Sequence, residues 1–187
     1  MTSVDMEPKR QFVLSLLVSN HFGVLTRISG LFARRGFNID SLTVGVTENP
    51  EYSRMTIVSQ GDEYIREQMV RQLRKLEDVK VVRLMPEDNT VMRELLLVKV
   101  KLEPGKLSEI VEAANTFRAN VVDLSPDSVL IEITGDKSKL DAFIEYYKPY
   151  GIIEISRTGI TAVGRSTNTL FREDENGYEF NSGKAQT

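Results

Sequence analysis

A chain of 187 residues, 41 % of them hydrophobic, can fill one ordinary core or two small ones. A net charge of −3 offers no broad positive field for nucleic acid, and the absence of cysteine removes disulfides, thiolate nucleophiles and sulfur-ligated metals together. The first eleven residues lack a signal-peptide core and no apolar run approaches the roughly 20 residues of a membrane helix, so the chain reads as soluble and cytoplasmic, with no membrane partner.

After a polar arm at 1–11, Phe12 to Ser19 is a run rich in strand formers, broken by Asn20-His21-Phe22-Gly23. Val24, Ile28, Leu31 and Phe32 then fall on one face of a helix that Arg34-Arg35-Gly36 closes with last-turn cations and a C-cap glycine. Asn38 to Thr47 and Arg54 to Gln60 predict a hairpin about the turn Asn49-Pro50. Gly61-Asp62 offers an N-cap for a helix through Ile65, Met69, Leu73 and Leu76, and Val79 to Leu84 supplies a last strand. The first domain, 12–85, thus has the order βαββαβ.

Pro86 to Thr90 is a polar break, which sets a linker at 86–91. A second domain, 92–165, repeats the order. Glu94 to Leu102 is its first strand, and Leu107, Ile110, Val111 and Ala114 mark its first helix. Asn120 to Leu124 and Ser128 to Thr134 follow as strands, Leu140 to Tyr147 as a helix and Gly151 to Ile155 as the closing strand. The tail 166–187 is mostly polar, with Leu170, Phe171, Tyr178 and Phe180 as scattered anchors, and is expected to be disordered or docked on a partner.

The halves repeat in residues as well as in pattern. Gly23-Val24-Leu25-Thr26-Arg27-Ile28 matches Gly105-Lys106-Leu107-Ser108-Glu109-Ile110, Asn38 matches Asn120, and Gly61-Asp62 recurs as Gly135-Asp136 after a shorter hairpin. The fold class is therefore α+β, two ferredoxin-like domains in tandem, each a four-stranded antiparallel sheet with helices on one face and the other face bare. A bare face on so small a domain needs covering, which predicts a homodimer.

Catalytic chemistry has little to work with: one histidine, no cysteine, and neither GxSxG nor HExxH. No residue is assigned as catalytic or as a metal ligand. Arg27, Arg34, Arg35 and Arg54 resemble a phosphate patch only superficially, since Arg27 and Arg34 read as the solvent face of one helix.

The loop Asn20-His21-Phe22-Gly23-Val24-Leu25 is more informative, because a helix beginning near Gly23 presents free N–H groups and a positive dipole end to a carboxylate. Gly23 allows close approach to the backbone, Asn20 offers a donor and an acceptor, and Val24 and Leu25 could add apolar contact. The plain alternative is that Asn20 only caps the helix and Gly23 only makes the turn. Asn38 has its own plain reading, an awkward backbone angle at a strand entry, which its match to Asn120 supports. The second loop, Glu103-Pro104-Gly105-Lys106, keeps the glycine but nothing equivalent to Asn20, so the first copy is the expected ligand site.

The ordered run N-x-x-G-V-L-T-R-I-S-G-L-F-A-R-R-G-F-N-I-D-S-L-T-V from Asn20, with S-R-M-T-I-V before Gln60, closely resembles the small subunits of acetolactate synthase (acetohydroxyacid synthase). So do Leu95 to Lys99 and T-G-D-K-S-K-L-D-A-F at Thr134 to Phe143, and the resemblance spans roughly Phe12 to Gly164. It implies that the first domain is an ACT domain, that homodimers form through these domains, and that valine, or sometimes leucine or isoleucine, binds between them as feedback inhibitor. Carried onto this chain, the effector site falls on Asn20, Gly23, Val24 and Leu25 of one subunit and on Asn38 and Ile39 of the other. His21 and Phe22 lie in the same loop, where smaller or acidic residues are common in the family.

The resemblance further implies no cofactor on this chain and a separate catalytic large subunit that holds thiamine diphosphate, magnesium and FAD. The alternative reading is a stand-alone ACT-type amino-acid sensor that regulates another enzyme or a transcription factor. A fused DNA-binding helix pair would have to precede Phe12, where only a short arm stands.

Overall fold

The computed structural model describes residues 10–167, 169–174 and 177–180. These divide into two compact units: the described residues up to Val91 together with those from Ile160 on, and Met92–Gly159.

In the first unit, strand β1 (Arg10–Ser19) leads to helix α1 (Val24–Arg35), β2 (Ser41–Val46), β3 (Tyr52–Gly61), α2 (Glu63–Leu73) and β4 (Val79–Leu84). The sheet order β2-β3-β1-β4 is antiparallel throughout, with Leu14 opposite both Ile57 and Leu84 and a bulge in the β1–β4 ladder between Leu17 and Val18. One face of the sheet carries Leu14, Leu16, Val18, Met55, Ile57 and Val82, packed against Val24, Ile28, Leu31 and Phe32 of α1 and Met69 and Leu73 of α2. Each such side chain contributes roughly 1.5–3 kcal/mol when fully buried.

Helix α1 ends as its composition requires: Gly36 takes the left-handed conformation (φ 69°) and its N–H donates to Ala33, with Arg34 and Arg35 in the last turn. Helix α2 begins on Asp62, whose carboxylate accepts from the Ile65 N–H at 2.8 Å.

The second unit follows the same path through β5 (Thr90–Lys101), α3 (Leu107–Thr116), β6 (Asn120–Leu124), β7 (Ser128–Gly135), α4 (Lys137–Tyr147) and β8 (Ile152–Arg157), with sheet order β6-β7-β5-β8. Its core joins Leu96, Val98, Val100, Val129, Ile131 and Ile133 of the sheet to Ile110, Leu140, Phe143 and Tyr147 of the helices. The duplicated signals do the same jobs: Asp136 caps α4 by accepting from Lys139 N–H at 2.9 Å, and Gly105, like Gly23, has a positive φ (82° and 89°) just before a helix. Both units have the expected ferredoxin-like βαββαβ order.

Several expectations are corrected. Strand β2 starts at Ser41 rather than Asn38, because Asp40 N–H is the first to reach across, to Val58 O at 2.8 Å. The 86–91 break is only a 3-10 turn, Glu87–Asn89, and β5 already begins at Thr90.

The face of the first sheet opposite its helices is not bare. Val13, Ser15, Leu17, Thr56 and Val58 on it are all buried, and the chain returning from Ile160 crosses it. Thr43 Oγ1 donates to Ile160 O at 3.0 Å, Ile160 N–H donates to Ser41 Oγ at 3.3 Å, and Arg54 Nη1 donates to Ala162 O at 3.4 Å.

Residues 160–164, placed by sequence in the second domain, thus serve the first unit, with β9 at Thr161–Gly164. Leu170 is buried against Leu17 and Val81, and β10 (Phe171–Asp174) and β11 (Gly177–Phe180) form a two-stranded hairpin. The start of the supposed tail is therefore ordered against its own chain, while the arm at 1–9 and residues 181–187 lie outside the described residues.

Candidate functional site

The loop after β1 is held from two sides. Asn20 N–H donates to Glu51 O at 2.7 Å and its side-chain Nδ2 to Pro50 O at 2.8 Å, which ties the loop to the β2–β3 turn. Asn20 therefore does not cap α1. Gly23 occupies the N-cap position with φ 89° and ψ −9°, no side chain caps this end, and no acidic residue stands in the first turn. The ladder starts with Arg27 N–H to Gly23 O at 3.0 Å, so the N–H groups of Val24, Leu25 and Thr26 precede it. This is a helix end with no acidic side chain in its own first turn, suited to an anionic ligand group.

The side chains divide by role. Val24 is 3 % exposed and belongs to the core, so only its backbone is available, which corrects the expectation that it adds apolar contact. Leu25 is 45 % exposed and Phe22 fully exposed at the loop tip. His21 turns away from the tip: its Nε2 lies 2.9 Å from Oδ1 of Asp78, whose other oxygen accepts from Arg27 Nη1. Asp78 is held beside the loop by its backbone, since its carbonyl accepts from Ser19 N–H at 2.8 Å. Burial works against its charged form, but the Arg27 guanidinium and the His21 ring outweigh that and hold the carboxyl below its usual range.

Asn38 and Ile39 stand elsewhere. Helix α1 of 12 residues separates them from Gly23, about 18 Å at 1.5 Å per residue, so one protomer does not bring the two halves of the expected site together. Asn38 has no positive φ; its Nδ2 donates to Asp40 Oδ1 at 2.5 Å and its carbonyl accepts from Ser59 Oγ at 2.6 Å, so the awkward-backbone reading fails. Ile39 is half-buried against the first core.

Sequence pattern places Arg27 on the solvent face of its helix and gives Asp78 no role, yet they pair. The signal was present in the strand order: once β4 returns antiparallel to β1, Val79 falls opposite Val18 and the residue before it meets the start of the loop.

The second unit lacks this arrangement. Its α3 starts on Lys106, whose Nζ is already paired with Glu109 in the first turn at 2.8 Å. A cavity of about 550 Å³ there is lined by Lys101, Glu103, Lys106, Glu109, Tyr146 and Tyr150 among others. Both its lysines are engaged, Lys101 by Glu103 at 3.4 Å. Among the described residues no group of acidic and imidazole side chains could hold a metal ion, and no helix is long and apolar enough to cross a membrane.

Residues 14–81 match the family model of the AHAS small subunit-like ACT domain, and residues 93–166 that of the small subunit of acetolactate synthase. A relative from Archaeoglobus fulgidus, named "Probable acetolactate synthase small subunit", is 52 % identical over 81 % of this chain and 95 % of its own. The chain belongs to the acetolactate synthase small-subunit family. The acetolactate synthase small subunit of Bacillus subtilis is 46 % identical over 83 % of this chain and 91 % of its own. The crystal structure of the acetolactate synthase small subunit from Thermotoga maritima superposes with a TM-score of 0.79 at 41 % identity, covering 85 % of this chain and 99 % of that one. As an acetolactate synthase small-subunit family member, the chain has an ACT domain as its first unit, and the uncapped helix end lies within it.

Proposed function

We propose that this chain is the regulatory subunit of an acetolactate synthase, activating a separate catalytic large subunit and conferring feedback inhibition by a branched-chain amino acid, valine foremost. The observation that carries the effector reading is the α1 end at Gly23, with no cap and no acid in its first turn. It suits the carboxylate of an amino acid, and Leu25 beside it suits an aliphatic side chain. Asn38 and Ile39 would reach that ligand from a second protomer, since α1 separates them within one chain. A homodimer joined along edge strand β2 is consistent with the exposed Val44 and Val46 there. The thiamine diphosphate, magnesium and FAD of the reaction would reside on the catalytic subunit, and this chain would act from the cytoplasm.

An effector changes the rate only through unequal affinity for active and inhibited states, usually by a coupling of about 1–3 kcal/mol. The test is acetolactate formation by the matching catalytic subunit, with and without this chain, across a valine titration. A rise in rate that valine reverses, and that Gly23→Asp or Asn38→His makes insensitive, is the expected result. Activation with no response to valine, leucine or isoleucine sinks the effector assignment, and no activation sinks the subunit assignment.

A further inference from the structure

His21, the only histidine of the chain, has both ring nitrogens against oxygen acceptors: Nε2 at 2.9 Å from the Asp78 carboxylate and Nδ1 at 3.1 Å from the Phe22 carbonyl. A neutral imidazole donates from one nitrogen only and would turn a lone pair on the other oxygen; the imidazolium donates from both. The two oxygens facing the ring thus offer acceptors for both N–H groups of an imidazolium. The charged groups on the segments around it are Arg27 on α1, Glu48 and Glu51 in the β2–β3 turn, Arg74, Lys75, Glu77 and Asp78 between α2 and β4, and Lys80 on β4. Of these Asp78 touches the ring, and its other oxygen is taken by Arg27. With His21 charged, the trio His21, Asp78 and Arg27 carries a net positive charge beside the start of α1; with His21 neutral, its charge cancels.

We propose that His21 is a proton-linked positioning residue of the effector loop, whose imidazolium clamps the loop between Asp78 and the Phe22 carbonyl and strengthens the hold of the α1 end on a carboxylate. The proposal rests on the reading of that helix end as the amino-acid site. The ligand would bind more tightly with the ring charged than with it neutral. For one exposed charge near a helix end, the expected difference between pH 8 and pH 6 is about two- to fivefold.

The experiment has two arms on the full chain. In the first, without effector, nitrogen-edited NMR of the single imidazole reads its protonation at pH 6 and pH 8, and backbone relaxation reads the order of residues 20–23. Both nitrogens protonated at pH 6, with a loop that loosens at pH 8 in the native chain and shows no such pH step in His21→Gln, supports the clamp. A singly protonated ring at pH 6, or a loop indifferent to pH, overturns the proposal whatever valine does.

The second arm compares the valine concentration for half-inhibition of the complex with its catalytic subunit at pH 6 and pH 8, for native and His21→Gln chains. Loss of the pH difference in His21→Gln is expected, and an unchanged difference overturns the proposal. If the first arm holds while valine acts at neither pH, the effector reading has failed and the clamp stands.

Discussion

The Tyr147 hydroxyl donates to the Ile110 carbonyl at 2.7 Å, joining α4 to α3 inside the second core. The ring is wholly buried and packs on Phe143, with centroids 4.6 Å apart. Tyr147→Phe keeps that packing and removes only the donor, so it should cost about 1 kcal/mol in urea unfolding. Burial, with Tyr146 and Tyr150 nearby, pushes the Tyr147 hydroxyl above its ordinary value. Tyr150 is pushed up to about 12, first by its hydrogen bond with Tyr146 and then by burial. Groups raised on folding contribute stability that is whole below the unfolded value near 10 and lost as pH rises through the folded value. The urea midpoint should therefore fall between pH 10 and 12, and less steeply in Tyr147→Phe; an equal fall in both chains would contradict the assignment.

Glu94 is 7 % exposed and takes a two-pronged contact from Arg157, at 2.9 Å and 2.7 Å, plus the Gly159 N–H at 3.2 Å. Removing the cation alone strands a buried carboxylate. Arg157→Met should therefore destabilise by about 3 kcal/mol, and Glu94→Leu with Arg157→Met should recover most of that loss. Thermal melts of the single and double variants decide it, with additive losses counting against the pairing.

The two glycines that end β3 and β7 predict unequal costs. A Cβ on Gly61 would meet Ile65 Cγ2 at 2.6 Å and its Cβ at 2.9 Å, whereas one on Gly135 would meet mainly Lys139 Cδ, at 2.7 Å. The lysine chain can swing aside, giving up the contact of Nζ with Thr134 O, but the branched isoleucine is fixed at its root and packs on the core. Gly61→Ala should cost about 1–3 kcal/mol and Gly135→Ala less than about 1 kcal/mol, read from denaturant midpoints. Equal losses would show that the strand-to-helix corner, not the side chain beyond it, limits both.

Leu170, 2 % exposed, lies on Leu17 and Val81 with Tyr52 beside them. Leu170→Ala removes the cover from Leu17 and should cost about 2–5 kcal/mol, the range for truncating a buried leucine. Limited proteolysis after Ile160 should accelerate in this variant. An unchanged digestion pattern would mean that the returning segment is held by its backbone hydrogen bonds alone.

Most of the architecture was readable because apolar spacing and turn chemistry agreed. Val79 to Leu84 and Asn120 to Leu124 match the observed strands end to end, and Asp62 and Asp136 cap the helices they were expected to begin. The returning segment was not readable, since a single Leu170 amid polar residues carries no period, and its burial follows from a sheet face far back in the chain. At the site, the helix end was visible as Gly23 followed by an amphipathic run. The pairing of His21 with Asp78 was hidden because it depends on the register of β4 against β1, which local pattern does not encode.

The detour of the chain also sets an order of assembly. Residues 92–159 are contiguous, whereas the first unit lacks Ala162 and Leu170 until translation has passed them. On the ribosome, the first unit therefore waits with Leu17 uncovered until the chain beyond Gly159 has emerged. A gene cut after Gly159 would encode all four strands of the first sheet and still leave its unit unfinished.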